Sequence, residues 1–270
     1  MPVTKIKKKC INDKFYTKHS VAMSCIDVMR RFITDDSIVY IEPSAGSGAF
    51  SKLIQCQAFD IAPDDTSIQK ENFLSIEDRW PNEKLCVFGN PPFGERNNLT
   101  KAFIKKAISF SGTKYIAFIL PAVYRKRTMQ RVFPDNWSLV YSKELPDDAF
   151  MFEGTQYHVP CVFQIWEKDA VLKNLREVTQ PRECVDFLLT TKDNADIFVF
   201  GAAPHKIIDV SDVKSTNRGH YIKTKIDISV LRDRITSVDW KTYASSSVNG
   251  GVAWFSSDEF MKHYTNTHGV

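Results

Sequence analysis

Two stretches of the sequence combine residue types that can do chemistry. One is Asn90-Pro91-Pro92-Phe93: an amide side chain, two residues without a backbone N–H, and an aromatic ring. Consecutive prolines neither extend a strand ladder nor enter a helix interior, so they stiffen the backbone and leave its carbonyls without competing local donors. The Asn90 side-chain oxygen and the Pro91 carbonyl could then accept both hydrogens of an exocyclic amine such as that of adenine. That amine is a weak nucleophile because its lone pair is delocalised into the ring. Accepting its hydrogens localises the lone pair and aims it at an electrophilic methyl carbon. Phe93 offers a face for a base taken out of its stack, offsetting part of the few kcal/mol that extrusion costs. A methyl group activated by a positive sulfur asks for alignment more than for a strong general base. Taken alone, a proline pair is also an ordinary rigid turn.

The other stretch is Glu42-Pro43-Ser44-Ala45-Gly46-Ser47-Gly48, with Asp60 lying 18 positions beyond Glu42. That separation is near the ~20 residues between a glycine turn and the ribose-reading acid of dinucleotide folds. Small residues let the backbone approach a ligand, and a helix starting there would add free amide donors. The loop has neither GxGxxG spacing nor the Lys-Ser/Thr of a phosphate loop. Asp60 suits ribose hydroxyls, and the neighbourhood of Glu42 suits an amino group.

Strands must end at both stretches to bring them together. Ser37–Ile41 leads into the glycine loop, and Ala49–Ile54 reads as the helix after it. Gln57–Ile61 and Leu85–Gly89 read as further strands, the second running straight into Asn90. Helical spacing of apolar residues marks His19–Ile33 and Leu99–Phe110, and Tyr115–Leu120, Ser138–Ser142 and Cys161–Glu167 read as strands. The alternation predicts an α/β fold, a parallel or mixed sheet with helices on both faces. Past Asp169 that rhythm stops. Strands fit Ile197–Phe200, Ile207–Val210 and His220–Ile222; helices fit Leu231–Val238 and Ser257–Tyr264, with Ser257 as an N-cap. The expected organisation is a basic arm over residues 1–14 (Lys5, Lys7, Lys8, Lys9), a catalytic domain over 15–170, and a small α+β extension over 171–270 that serves target recognition.

Composition bounds the reading. The chain has 270 residues, 43% of them hydrophobic, enough for a sizeable core. Its net charge of +4 is a mild excess that fits a polyanionic partner without requiring one. The six cysteines have no metal-ligand or redox spacing, so reduced thiols and no metal site are expected. No apolar run spans a bilayer and no signal core follows the basic start, which predicts a soluble, cytoplasmic protein without a membrane partner.

Glu42–Phe50 followed by Asn90–Phe93 resembles the amino-methyltransferase family, in which Asn-Pro-Pro-Phe is typical of enzymes that methylate adenine N6. The likeness extends loosely over residues 13–168. It implies a Rossmann-like class I methyltransferase fold with a mixed, mostly parallel seven-stranded sheet, S-adenosyl-L-methionine as cofactor, and methyl transfer to adenine N6. The implied catalytic set is Asn90, Pro91, Pro92 and Phe93. The implied cofactor set begins with Phe15, Tyr16 and Thr17, from an element that closes over the methionine end. It continues with Glu42, Ser44, Ala45, Gly46, Gly48, Asp60 and Ile61, and ends with Asn72 and Phe73, from the loop that holds the cofactor's adenine. The family usually carries aspartate where Asn72 stands, and Phe73 is expected to stack on the adenine ring.

Phosphate contacts are expected from Lys101 on the helix after the tetrapeptide, from Arg125, Lys126 and Arg127, and from Lys214 and Arg218, the last two near His220 and Tyr221. Basic residues interleaved with aromatics suit phosphate contact plus stacking; each group also reads as a solvated face. Phe152–His158 is expected to border the target base, with Tyr157 as a contact. DNA is the leading substrate. The alternatives are the same chemistry on RNA, internal or beside a messenger cap; a catalytically silent nucleic-acid-binding relative; and methylation of a protein glutamine. The sequence does not decide between a monomer and a homodimer.

Overall fold

The computed structural model describes residues 16–152, 155–157, 159–171, 174–244, 248–249 and 252–270. The chain divides into two units, Met1–Glu177 and Val178–Val270. The first runs β1 (Tyr16–Thr17), α1 (His19–Phe32), β2 (Ile38–Glu42), β3 (Gln57–Asp60), β4 (Gln69–Lys70), β5 (Lys84–Gly89), α2 (Asn98–Ser109), β6 (Thr113–Pro121), α3 (Arg127–Gln130), β7 (Trp137–Glu144), β8 (Phe150–Phe152), β9 (Thr155–Tyr157) and β10 (Cys161–Lys168). Seven strands make one sheet in the order β4-β3-β2-β5-β6-β10-β7. β10 is antiparallel to both its neighbours, and every other pairing is parallel. This is the mixed, mostly parallel sheet of the Rossmann-like class I methyltransferase fold that the sequence implied.

Side chains alternate across a strand, so the central strands feed two cores. Leu85 and Val87 share one face with Ile116, Phe118, Leu120, Val162 and Trp166, and there α2 adds Phe103, Ile104 and Ala107. Cys86 and Phe88 share the other with Ala117, Ile119, Phe163 and Ile165, beneath Val21, Cys25, Ile26 and Met29 of α1. Near-continuous apolar runs such as Ile116–Leu120 are what a strand covered on both faces requires.

One expected element is absent. After the glycine loop the chain forms successive turns from Gly46 to Leu53 rather than a helix. Its bonds mix two lengths: Gly48 N to Ala45 O at 2.8 Å and Leu53 N to Phe50 O at 2.8 Å span three residues, and Lys52 N to Gly48 O at 3.3 Å spans four. No regular helix dipole therefore points at this loop. One small sheet was not expected. β8 pairs antiparallel with both β1 and β9, with Tyr16 opposite Met151 and Thr17 opposite Phe150.

The first unit ends at Glu177, beyond the expected residue 170, because Arg176 ties the final segment down. Its guanidinium donates to the carbonyls of Pro134 (2.9 Å), Trp137 (3.1 Å), Gln130 (3.1 Å) and Phe133 (3.0 Å). It also lies over the Trp166 ring, 5.4 Å from the centroid.

The second unit has α+β composition: β11 (Phe187–Thr190), β12 (Ile197–Phe200), β13 (Ala203–Asp209), β14 (Gly219–Thr224), α4 (Ile228–Ser237), α5 (Trp240–Ala244), β15 (Val248–Asn249), β16 (Val252–Ala253) and α6 (Ser257–His268). Its antiparallel sheet has the order β11-β14-β12-β13. Phe187, Ile197, Val199, Ile222, Leu231, Ile235, Phe260 and Tyr264 form its core. Buried Asp186 accepts from Arg234 at 2.6 Å and from the Tyr264 hydroxyl. The cap of α6 is Ser256, one residue before the expected Ser257, in a reciprocal box with Glu259. Among the described residues no helix is long and apolar enough to cross a membrane, and no group of side chains could hold a metal ion.

Removing the Arg176 guanidinium strands four carbonyl contacts at once. Arg176→Ala is expected to lower the stability of the first unit by about 2–4 kcal/mol, read as a shifted urea midpoint at unchanged slope. An unshifted midpoint would mean that the segment is not an anchor.

Candidate active site

From β2 the chain moves outward to β3 and β4, then returns to the far side of β2 as β5. Ligands of open α/β sheets bind at such a reversal, outside the carboxyl ends of the strands. Here those ends carry Glu42 on β2, Asp60 on β3, and Gly89 followed by Asn90 on β5.

Glu42 is 1% exposed, and its Oε2 has no hydrogen-bond partner among the described residues. Burial pushes its carboxyl up to about 8, against the pull of bonds from the Ser51 backbone and hydroxyl and with a further upward push from Asp60. Gly89 has φ +122°, and a Cβ there would lie 3.2 Å from Glu42 Cγ. Glycine at that point lets the carboxyl lie beside the entrance to the tetrapeptide.

Asp60 holds the glycine loop in shape: Oδ2 accepts from Gly46 N–H and Oδ1 from Ala62 N–H, each at 2.8 Å. Each carboxylate oxygen keeps a second acceptor site, so ribose hydroxyls remain within its capacity. Gly46 adopts φ +55°, and the Tyr16 ring would lie 3.6 Å from a Cβ placed there. The Tyr16 hydroxyl donates to Asp64; that bond, then burial, pushes the phenol up to about 12. Ile61 is 66% exposed immediately beyond Asp60.

The tetrapeptide is clasped from several directions. Asn90 Nδ2 donates to Thr17 Oγ1 at 3.2 Å, and Oδ1, the acceptor atom of the amide, is buried. Ser44 Oγ donates to the Asn90 carbonyl at 3.0 Å. Pro91 is buried, Pro92 and Phe93 are half-buried, and Phe93 packs against the α1-side core. Beyond it Gly94 takes φ +67°, where a Cβ would lie 2.7 Å from Leu99 Cγ. Arg96 (φ 52°) and Asn97 (φ 62°) follow in the left-handed region, which side-chain-bearing residues occupy at a cost of order 1–3 kcal/mol each. Thr100, fully buried, donates from Oγ1 to the Pro92 carbonyl at 3.2 Å.

Thr17, Ser44 and Asn90 are thus brought together, and Tyr16 lies against the glycine loop. Phe73 is a correction. It is 1% exposed in the α2-side core, stacked on Phe103 with centroids 5.5 Å apart, so it has no open face for an adenine ring. Asn72 turns its side chain to its own short helix, accepting from Leu74 N at 3.1 Å and donating to Ser75 Oγ at 3.2 Å. Exposed Ile61 is the apolar surface beside Asp60 instead. Phe15, His158 and the basic arm lie outside the described residues. Gly89, Ser51 and Thr100 were missed; a glycine directly before Asn90 was the one signal available.

The basic residues separate. Lys126 is 8% exposed and opens α3, accepting through its carbonyl from Met129 and Gln130 at 3.0 and 3.1 Å; the expected phosphate contact there is corrected by its burial. Arg125 is paired with Glu144, and Arg127 and, on α2, Lys101 are half-buried. In the second unit Lys214 and Arg218 are exposed; Arg218 donates to the Ser215 carbonyl at 2.7 Å. His220 does not join them. It is buried, bonded through Nε2 to the Phe255 carbonyl at 3.1 Å, and burial pushes it down to about 4.

Residues 47–179 match the model of the EDM2 methyltransferase-like domain. Among solved structures, the chain is similar to a candidate RNA methyltransferase, PH1948, from Pyrococcus horikoshii, with 12% identity and TM-score 0.45 over 60% of this chain and 90% of that one. It is also similar to protein 1320 of Thermoplasma acidophilum, with 18% identity and TM-score 0.42 over 56% and 90%. A third is the 23S rRNA methyltransferase ErmE, with 12% identity and TM-score 0.41 over 61% and 72%. None of the curated proteins compared matches the chain. S-adenosylmethionine is the methyl donor of such a domain, and the residues present fit it. The buried Glu42 oxygen suits its ammonium group, Asp60 its ribose, Gly46 a close backbone approach, and Ile61 the flat adenine ring.

A carboxyl raised on folding keeps a proton that the unfolded chain has lost, so stability falls with rising pH between the two values. For Glu42 that window runs from its ordinary value of 4.5 to about 8. Across it the wild type is expected to lose roughly 2–4 kcal/mol relative to Glu42→Gln. Urea melts of both proteins at several pH values check this; parallel profiles would show that Glu42 is ionised throughout.

Proposed function

We propose that this chain transfers a methyl group from S-adenosylmethionine to the N6 amine of adenine in DNA, with the base extruded from its stack. The observation that supports this reading is the arrangement at the tetrapeptide. Asn90 Nδ2 is directed to Thr17, Oδ1 is the acceptor atom of the same amide, and the next carbonyl along is that of Pro91. Two acceptors in succession match an amine with two hydrogens. When bound, the cofactor supplies an electrophilic methyl group. Asn90 Oδ1 and the Pro91 carbonyl accept hydrogen bonds from the two amine hydrogens and orient its lone pair; the N–C bond would form as the sulfonium S–C bond breaks, leaving the neutral thioether, and the methylated amine would release one proton to solvent. Phe93 stacks on the base, and the cluster around Phe50, Phe88 and Phe150 behind it keeps its ring in place. Exposed Lys214 and Arg218 contact phosphate, and the second unit thereby adds sequence-independent affinity for the polynucleotide.

Labelled S-adenosylmethionine, matched DNA and RNA pools and nucleoside mass spectrometry test the reading. N6-methyldeoxyadenosine is expected from the wild type. Asn90→Ala is expected to lower kcat by at least ~100-fold while S-adenosylhomocysteine still binds within about threefold. Label in RNA adenines alone would replace the polynucleotide and keep the chemistry. Full activity in Asn90→Ala, or label outside adenine, would overturn the assignment. Replacing both Lys214 and Arg218 by alanine is expected to raise KM for the polynucleotide and to flatten its salt dependence by up to about two counterions. An unchanged salt slope would remove these residues from the interface.

A further inference from the structure

The carbonyls of the tetrapeptide are unequally engaged. Asn90 O accepts from Ser44 Oγ at 3.0 Å. Pro92 O accepts from Thr100 Oγ1 at 3.2 Å. Phe93 O accepts from Thr100 N at 3.5 Å, with Thr100 Oγ1 also at 3.5 Å. The Pro91 carbonyl accepts no hydrogen bond from any described residue. Neither proline can donate, so the donors that satisfy this turn must come from other segments. They come from Ser44 in the glycine loop and from Thr100 in α2, one on each side of Pro91.

We propose that Thr100 is a positioning residue, which together with Ser44 engages the carbonyls flanking Pro91 and so fixes the Pro91 carbonyl as the one presented to the acceptor amine. This rests on the function proposed above. A hydroxyl is the required group. Thr100 is fully buried, and its Oγ1 reaches two carbonyls that a methyl group could only crowd. The backbone between is shaped to bring Thr100 there. Gly94, Arg96 and Asn97 all have positive φ, which folds the chain back so that the third residue of α2 meets the loop preceding it. With the flanking carbonyls held, the peptide planes around Pro91 cannot rotate to offer a neighbouring oxygen instead, and the distance between the Asn90 amide and the Pro91 carbonyl is set before any base arrives.

Thr100→Val removes the hydroxyl at nearly constant volume; Thr100→Ser keeps the hydroxyl and removes the methyl. The measurements are kcat and KM for the adenine-bearing polynucleotide, S-adenosylhomocysteine affinity by calorimetry, and hydrogen exchange in peptides covering residues 89–101. Thr100→Val is expected to lose about 10- to 100-fold in kcat, to change KM and S-adenosylhomocysteine affinity by less than about threefold, and to exchange faster in that segment. Thr100→Ser is expected to stay within about threefold of the wild type. Wild-type kcat in Thr100→Val, equal losses in both variants, or unchanged exchange would each overturn the proposal. Should Thr100→Val not fold, Thr100→Ala against Thr100→Ser gives the same comparison. A wild-type protein that methylates no adenine defeats the functional reading alone, and the exchange comparison still decides the role of Thr100.

Discussion

One hydrogen bond ties the tetrapeptide to the start of the first unit: Asn90 Nδ2 to Thr17 Oγ1, between residues 73 positions apart. It ties the Nδ2 end of the Asn90 amide to the strand that carries Thr17. It also requires that Thr17 be held in place by something other than its own short segment. Two residues of strand have almost no stability alone. β1 is held because β8 pairs with it, because Lys18 N donates to Ala149 O at 3.0 Å, and because Lys18 Nζ meets Asp148 at 2.7 Å. The geometry of the tetrapeptide thus depends on a strand that follows β7.

The same dependence connects the cofactor residues to the acceptor residues. Tyr16, beside Thr17, lies on Gly46 and bonds Asp64, whose N–H donates to Gly46 O at 3.0 Å. Ser44 in the same loop holds the Asn90 carbonyl. The glycine loop is therefore shaped by Asp60 from below and Tyr16 from above, without the helix that such loops often open. Its ligand-binding capacity resides in side chains and close backbone approach rather than in a helix terminus.

In the first unit β2, β3, β5, β6, β7 and β10 and the helices α1 and α2 were legible because each satisfies a local rule: period two, an apolar run, or apolar residues every three or four positions. β5 could be placed within a residue because Asn90-Pro91 must end it. What escaped the sequence was decided by distant partners. β1 and β8 are two and three residues long and exist through each other. Phe73 was expected at the ligand because its neighbours resemble a family loop, but the aromatic rings of Phe103 and Phe110 offered a better burial site. Lys126 sits in a basic run, and only the fold shows that its carbonyl must start α3. Thr100 carries no mark in the sequence; its function depends on left-handed residues at 96 and 97 that nothing local demands.

The pairing of Tyr16 with Met151 and Thr17 with Phe150 also imposes an order of events on synthesis. The segment that carries Thr17 is made long before its strand partner exists. Closing a loop of that length is slow and brings no gain until the far partner is in place. During translation the parallel part of the sheet, β4-β3-β2-β5-β6, can form while β1 has nothing to pair with. The site is finished late, when the hairpin arrives. A ribosome-bound chain stopped before residue 150 would hold the glycine loop, the tetrapeptide and Thr17, but not the strand that keeps Thr17 beside Asn90, so the geometry of the site is completed only when nearly all of the first unit has been made.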